Sequence, residues 1–378
     1  MGYDGHGRMM GECGWFRKRG AGHSHIKTVI DSGRPFGAPA FRNEGKMKKI
    51  LMIATGGTIA SQKTDSGLAP QLSSEEILRY VPQVAGICHV SAVQLFNIDS
   101  TNMEPRHWVK IAEKVEASYD EYDGFVILHG TDTMAYTASA LSYLIQDSRK
   151  PIVLTGAQKP IDQDITDAKS NLVDSFLYAC DARSHGVNVV FGGQAIAGTR
   201  ASKVRTKSYN AFSSIDFPNK AVIRDGKVFH YITGKEAEKE PIFYHQVDTR
   251  ICVLKLIPGL NGGIFQYLKE NYDAVIIESF GVGGLPRYEN EDFSDILKDW
   301  MDCGKIVVMT TQVPHEGSDM ATYRVGFRIK EEYELIESYD MTLEAVVTKL
   351  MWILAQTKAP EEVRRLFYRP VNYDIMLR

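Results

Sequence analysis

No apolar run in the chain approaches the roughly 18 residues that a membrane-crossing helix needs, so no membrane partner is expected. A C-x-x-C pair is also missing: the five cysteines, Cys13, Cys88, Cys180, Cys252 and Cys303, are scattered and odd in number. That argues against a disulfide framework and a zinc site and suits a reducing compartment, so a cytoplasmic location is expected. Charge of one sign is lacking too. A formal value of -3 over 378 residues leaves no footprint for nucleic acid or an anionic surface. No ligand cluster for a metal and no organic-cofactor motif appears, so the expectation is no cofactor. What remains is an ordinary globular composition, 44% apolar and 24% charged.

Residues 1–46 are rich in Gly, Arg and His, with no sustained periodicity and no hydrophobic h-region. They read as an unstructured leader or a mis-set start, with Met47 a plausible beginning. From there, short apolar runs alternate with amphipathic stretches, the pattern of a parallel sheet covered by helices. Strands are expected at 49–55, 124–129, 151–155, 187–192, 274–280 and 305–311. Helices are expected at 73–81, 104–119, 133–146, 167–181, 263–271, 292–302, 342–357 and 360–368. The polar stretch 195–250 breaks this rhythm, with turn signals at Phe217-Pro218-Asn219 and Arg224-Asp225-Gly226 and a charged run at Lys235–Glu240. The expected class is α/β. A larger N-terminal domain (47–230) with a parallel-rich sheet flanked by helices is followed by a linker (231–250) and a smaller C-terminal α/β domain (251–378).

Ligands of open α/β sheets bind beyond the carboxyl ends of the strands. Three such ends stand out: "TGGTIA" at 55–60, "HGTDTM" at 129–134 and "TGAQ" at 155–158. Glycine permits positive φ and close approach to the main chain, and the following amides can face an anion. The first loop matches neither nucleotide fingerprint, and a tight turn alone would also account for it. Asp132 suits the N-cap of the helix behind it. The Thr-Asp pair opposite a second Thr loop has a chemical use as well. A threonine hydroxyl is a weak nucleophile that needs a base, and a carboxylate beside it can bind a substrate ammonium group or orient that base. Lys203, in "GTRASKVRTKSYNAF", is the candidate base if burial lowers its pKa, and Lys207 competes for the role.

Taken together, "ATGGTIA", "LHGTDTMAYTASALSYLI", "LTGAQKP" and "ASKV" resemble the bacterial-type L-asparaginases, their cytoplasmic branch above all, over about residues 49–370. The resemblance implies that Thr58 is the nucleophilic threonine and that Thr131 and Asp132 are the second threonine and the substrate-binding aspartate. Lys203 would work with that pair. "NIDSTNM" at 97–103 would hold the α-carboxylate and α-amino group through Asp99 and Ser100, and the Ala157 carbonyl would lie near the scissile amide. The implied reaction is hydrolysis of L-asparagine to L-aspartate and ammonia through an acyl-enzyme. Which threonine attacks first stays open, Thr58 being preferred. One departure matters. The family's tyrosine some ten to fifteen residues after the first threonine is absent from "SQKTDSGLAPQLS", so Tyr209 or Tyr288 is considered as a substitute. The loop 61–71 reads as a mobile lid. The resemblance further implies a homodimer or homotetramer, with the site between subunits, and in some members a second asparagine site, for which Ser202 and Ser279 are candidates.

Three rivals stand beside this reading. A preference for L-glutamine differs by one methylene, which a pocket rejects only modestly. The asparaginase-like subunit of a tRNA-dependent amidotransferase carries a folded N-terminal domain and needs a basic face, which this sequence does not show. A non-catalytic amino-acid sensor would need the aspartate but not two hydroxyls and a lysine.

Overall fold

The computed structural model describes residues 47–64, 67–233, 240–289, 291–322, 330 and 335–376. The leader proposed for 1–46 and most of the charged run at 235–240 lie outside the described residues. The large sheet has eight strands. In order they are Lys227–His230, Ala221–Arg224, Gln194–Ala197, Gly186–Phe191, Pro151–Thr155, Gly124–Leu128, Lys49–Gly56 and His89–Ile98. The last five run parallel to one another, and the first three continue the sheet antiparallel. A smaller sheet of four parallel strands contains Ile251–Lys255, Ala274–Ser279, Ile306–Thr311 and Ile336–Glu337.

The period of two along each strand sorts side chains onto two faces. Leu51, Ile53, Phe125, Ile127, Ile152 and Leu154 face one core, shared with helices Pro105–Ala117, Met134–Leu144 and Leu343–Leu354. Ile50, Met52, Val126, Leu128 and Val153 face the other, covered by Ala168–Cys180 and Ser74–Arg79. Both faces are dry, which is why these strands read as unbroken apolar runs. The first core continues onto Ala274, Ile276, Ile306 and Val308 of the small sheet.

All six expected strands and all eight expected helices are present, with ends shifted by up to three residues. His89–Ile98 was not anticipated. It is the edge strand and alternates between exposed and half-buried positions, so Ser91, Gln94 and Asn97 interrupt its apolar signal. The helix after Asp132 stops at Leu144, because Ile145–Gln146 turn out to pair with Ile242–Phe243. That pairing ties the expected linker back onto the large domain. The 61–71 loop contains a hairpin, Ser61–Thr64 against Gly67–Pro70.

Candidate active site

Four neighbouring parallel strands, Pro151–Thr155, Gly124–Leu128, Lys49–Gly56 and His89–Ile98, end side by side, and their loops meet main chain to main chain. Gly56 and Gly57 have φ of 106° and 85°. A Cβ on Gly56 would overlap the Ile98 backbone, and one on Gly57 would overlap the Gly130 backbone. A Cβ on Gly130 would lie 2.6 Å from the Ser100 Oγ, and one on Gly156 would overlap the His129 carbonyl. Glycine at these positions removes the bulk that would hold the loops apart.

The two threonines of "TGGT" have different fates. Thr55 is buried and its hydroxyl donates to the Leu128 carbonyl at 2.8 Å, a structural use. Thr58 opens a single 3-10 turn, Thr58–Ala60, and is half-buried. Its hydroxyl has no hydrogen-bond partner among the described residues.

On the neighbouring loop Thr131 is 5% exposed. Its Oγ1 accepts from the Lys203 Nζ at 2.7 Å and donates to the Gln158 Oε1 at 3.1 Å. The same ammonium reaches the Asp132 Oδ1 at 2.6 Å, with the Asp132 side chain 59% exposed and that of Lys203 14% exposed. Lys203 is thus the group that joins hydroxyl and carboxylate. Lys207 is exposed and takes no part. Asp132 does not cap its helix: the N-cap is Thr133, without a side-chain cap bond, and the Asp132 carboxylate is spent on Lys203.

The other expected residues lie around this pair. Ser100 is 3% exposed behind Gly130, and its carbonyl accepts from the Thr133 hydroxyl at 2.8 Å. The Asp99 carboxylate accepts from the amide and hydroxyl of Thr101, both at 2.9 Å. Ala157 is fully buried between Gly156 and Gln158. Neither substitute tyrosine is bonded to Thr58. The Tyr209 hydroxyl donates to the Ile165 carbonyl at 3.3 Å, and the Tyr288 hydroxyl accepts from the Gly259 amide at 2.8 Å. Ser202 borders a cavity of about 180 Å³ and donates to Glu344, whereas the buried Ser279 hydroxyl is committed to the Thr310 carbonyl. Among the described residues no group of three or more His, Cys, Asp or Glu side chains is placed to hold a metal, and no helix is long and apolar enough to cross a membrane.

With this geometry in place, comparison with known proteins decides the family. The N-terminal asparaginase family model matches residues 49–234, and the glutaminase/asparaginase C-terminal domain model matches 250–367. The chain belongs to the asparaginase family. It is 38% identical over 332 residues to an L-asparaginase of Thermococcus kodakarensis, covering 86% of this chain and 99% of that one. The solved structure of the thermostable L-asparaginase from that organism superposes with a TM-score of 0.81 at 38% identity, covering 87% of this chain and all of that one. The chain is also 38% identical over 336 residues to a subunit of the glutamyl-tRNA(Gln) amidotransferase of Metallosphaera sedula, covering 84% of this chain and 74% of that protein.

Several residues that hold this candidate site of the asparaginase family together do so through bonds that the sequence does not show. Asp167 is buried at the start of Ala168–Cys180 and accepts from the amides of Gln158 (2.9 and 3.1 Å) and Lys159 (3.1 Å). Burial pushes its carboxyl above the usual carboxylate range, and the Gln158 and Lys159 amides oppose that rise. Asn171, one turn on, donates to the Gly156 carbonyl at 3.0 Å and accepts from the Gly192 amide at 2.9 Å. Together they fix the loop that presents Gln158 to Thr131.

A second network runs from the core to Gly130. The Trp108 indole donates to the Thr137 Oγ1 at 3.0 Å. The Thr137 hydroxyl therefore donates onward to the His129 Nε2 at 2.9 Å, leaving the Nδ1 proton for the Gly130 carbonyl at 2.7 Å. Burial holds the His129 imidazole down at about 4, so it is neutral.

Lys203 is held from a third direction. Arg200 is fully buried, donates to the carbonyl and carboxylate of Asp340, both at 2.8 Å, and anchors the root of the strand Ala201–Lys203.

Proposed function

We propose that this protein hydrolyses L-asparagine to L-aspartate and ammonia, with Thr58 as the nucleophile and Thr131, Lys203 and Asp132 as a proton relay. The observation that carries this reading is the Lys203 Nζ placed 2.7 Å from the Thr131 Oγ1 and 2.6 Å from the Asp132 carboxylate, beside a loop whose Thr58 hydroxyl is unpartnered among the described residues. Asp132 is exposed enough to meet a substrate. The substrate's ammonium engages that carboxylate, and Lys203, bonded to the Thr131 hydroxyl, links it to the relay.

Thr58 Oγ1 attacks the side-chain amide carbon, and the amide nitrogen leaves as ammonia once protonated. Water then releases aspartate from the acyl-enzyme. Amides of the glycine-bearing loops stabilise the oxyanion, worth ~3 kcal/mol per donor. Asp99 and Ser100 hold the α-carboxylate and α-amino end, and the Ala157 carbonyl faces the scissile amide. The proposal includes a large domain at 47–230 and a small one at 251–378, assembly as a homodimer or homotetramer, a cytoplasmic location and L-glutamine as the competing substrate.

A second reading has specific support: identity to the amidotransferase subunit equals identity to the L-asparaginase. In that reading the same site supplies ammonia to a partner. Ammonia release from free asparagine and glutamine by wild type, Thr58→Ala and Thr131→Ala separates them. Robust turnover by the isolated chain, abolished in both variants with folding intact, supports the proposal. Turnover that requires a partner and charged tRNA moves the assignment to the second reading, and activity surviving either substitution removes that residue from the chemistry.

A further inference from the structure

Lys203 sits on a ribbon of two strands, Ala201–Lys203 against Phe212–Ser214, outside the eight-stranded sheet that carries the threonine loops. A two-stranded hairpin is marginal in water on its own. The 2.7 Å between the Lys203 Nζ and the Thr131 Oγ1 therefore depends on what holds the ribbon. Ala201 and Phe212 set one side of it into the core. Its root, Thr199 and Arg200, is held by the last stretch of the chain.

That stretch, 371–376, meets the root through its main chain. The Asn372 carbonyl accepts from the Thr199 hydroxyl at 2.6 Å, and the Tyr373 carbonyl accepts from the Arg200 Nε at 2.5 Å. The Met376 amide donates at 3.0 Å to the Asp340 carboxylate, whose other oxygen accepts from Arg200. Backbone groups can aim at these partners only if the shape of the stretch is fixed by something else. Asn372 and Tyr373 have φ of 47° and 65°, values a non-glycine residue keeps only when its surroundings impose them.

Asp374 imposes them. It is fully buried, and its Oδ1 accepts from the Val371 amide at 2.8 Å, which closes the stretch on itself. Its Oδ2 accepts from the Lys349 Nζ at 2.6 Å and from the Tyr143 hydroxyl at 3.0 Å. The Asn372 side-chain amide adds bonds to the Ser142 hydroxyl and the Val187 carbonyl, both at 2.9 Å. Ser142 and Tyr143 lie on Met134–Leu144, the helix that begins just after Thr131 and Asp132. The stretch thus ties the ribbon of the lysine to the helix behind its two partners.

We propose that 371–376 is a brace that sets the distance between Lys203 and Thr131, with Asp374 as its positioning residue. This rests on the reading of Thr131, Lys203 and Asp132 as a relay. Asp374 touches no reacting atom. Removing its carboxylate leaves the Lys349 ammonium buried without its partner charge and frees the carbonyls that hold Thr199 and Arg200. Asp99, Ser100 and Asp132 lie on other elements, so the loss falls on kcat more than on KM.

The test uses the full-length protein at room temperature, with folding checked by circular dichroism. Asp374→Ala should lower kcat for ammonia release from asparagine about 30-fold with KM changed by less than about threefold. Amide hydrogen exchange should rise at 199–204 and 371–376 and stay as in wild type at 124–128. Leu297→Ala, a truncation in the core of the small sheet, should lower the melting temperature while kcat stays within about twofold. If Asp374→Ala fails to fold, Asn372→Ala, which loses only the bonds to Ser142 and Val187, should show the same pattern with kcat down about fivefold. An unchanged kcat in the brace variant, an equal loss of kcat in Leu297→Ala, or exchange that rises evenly along the chain would each overturn the proposal. Absence of ammonia release by wild type would defeat the functional reading instead. Exchange at 199–204 would then decide the brace by itself: a rise there supports it, and none overturns it.

Discussion

The two larger sheets among the described residues share one feature, adjacent parallel strand ends, and differ in the chemistry there. Each displays the carboxyl ends of adjacent parallel strands, the usual address of a ligand site in such folds. In the small sheet the strand-end polar groups are consumed locally. Ser279 donates to the Thr310 carbonyl at 2.6 Å, Thr311 to the Gly281 carbonyl at 2.5 Å, and the Gln312 amide to the carbonyls of Leu256 and Glu278 at 2.6 and 2.8 Å. In the large sheet Thr55 and Thr155 are consumed the same way, but the threonines of the loops after Lys49–Gly56 and Gly124–Leu128 are not bonded to main-chain carbonyls. Thr58 is left without a partner among the described residues, and Thr131 is bonded to a lysine. Parallel strand ends supply a location. A site arises only where glycine brings loops together and leaves a hydroxyl unspent.

The largest expected effect lies in Thr58 and in the Thr131–Lys203 pair. Thr58→Ala, Thr131→Ala and Lys203→Met should each lower kcat for asparagine at least ~10³-fold, whereas Ser279→Ala and Thr311→Ala should leave it within a factor of a few. Steady-state ammonia release measures both sets, and a comparable loss in the second set would erase the contrast between the sheets.

Next is loop support. Asp167→Ala removes the acceptor for the Gln158 and Lys159 amides and should cost about 100-fold in kcat with KM changed less, because a misplaced Gln158 no longer holds Thr131. An unchanged kcat would limit Asp167 to stability.

The third test uses pH. His129 titrates at about 4 in the fold against an ordinary 6.5, because it is buried. The unfolded chain gains a proton between those values that the folded protein refuses. The stabilisation is complete above pH 6.5 and drains away as pH falls toward 4, a total of about 3 kcal/mol. Denaturant unfolding at pH 7.5 and pH 4.5 should show this loss in wild type and a smaller one in His129→Gln. The equivalent loss in both would assign it to other groups.

The smallest effect sharpens the glycine contrast. Gly281 has φ of 52° and open space around it, so Gly281→Ala should cost about 1 kcal/mol of backbone strain and no activity. Gly57→Ala adds overlap with Gly130 to a φ of 85°, and should cost about 3 kcal/mol together with most of the turnover. Thermal melts and ammonia release on the two variants make the comparison.

Much of the fold was legible because fully buried strands and amphipathic helices carry strong periodic signals. Gly124–Leu128 and Pro151–Thr155 are buried at every position, and their apolar runs say so. His89–Ile98 was not legible, since an edge strand mixes polar and apolar residues and resembles a loop. Within the site, Thr58, Thr131, Asp132 and Lys203 were visible as motif members. The roles of Asp167, Asn171, Thr137 and Arg200 were not, because each is set by a hydrogen bond made only in the folded chain, from eight residues away for Thr137 to 140 for Arg200. Arg200 shows the distance involved: its partner Asp340 is 140 residues away.

The amino-acid order by itself determined where strands end, where glycine relieves the main chain, and which residue types stand at those ends. These are local properties, set by φ, by periodicity and by side-chain chemistry. Only the tertiary structure decided that Lys203, and not Lys207, reaches Thr131. It likewise decided that Asp132 pairs with that lysine instead of capping its helix, and that neither Tyr209 nor Tyr288 serves Thr58. Hydrogen bonds form over about 3 Å, and no local rule places groups 71 or 72 residues apart within that range. The packing of four strand-end loops does.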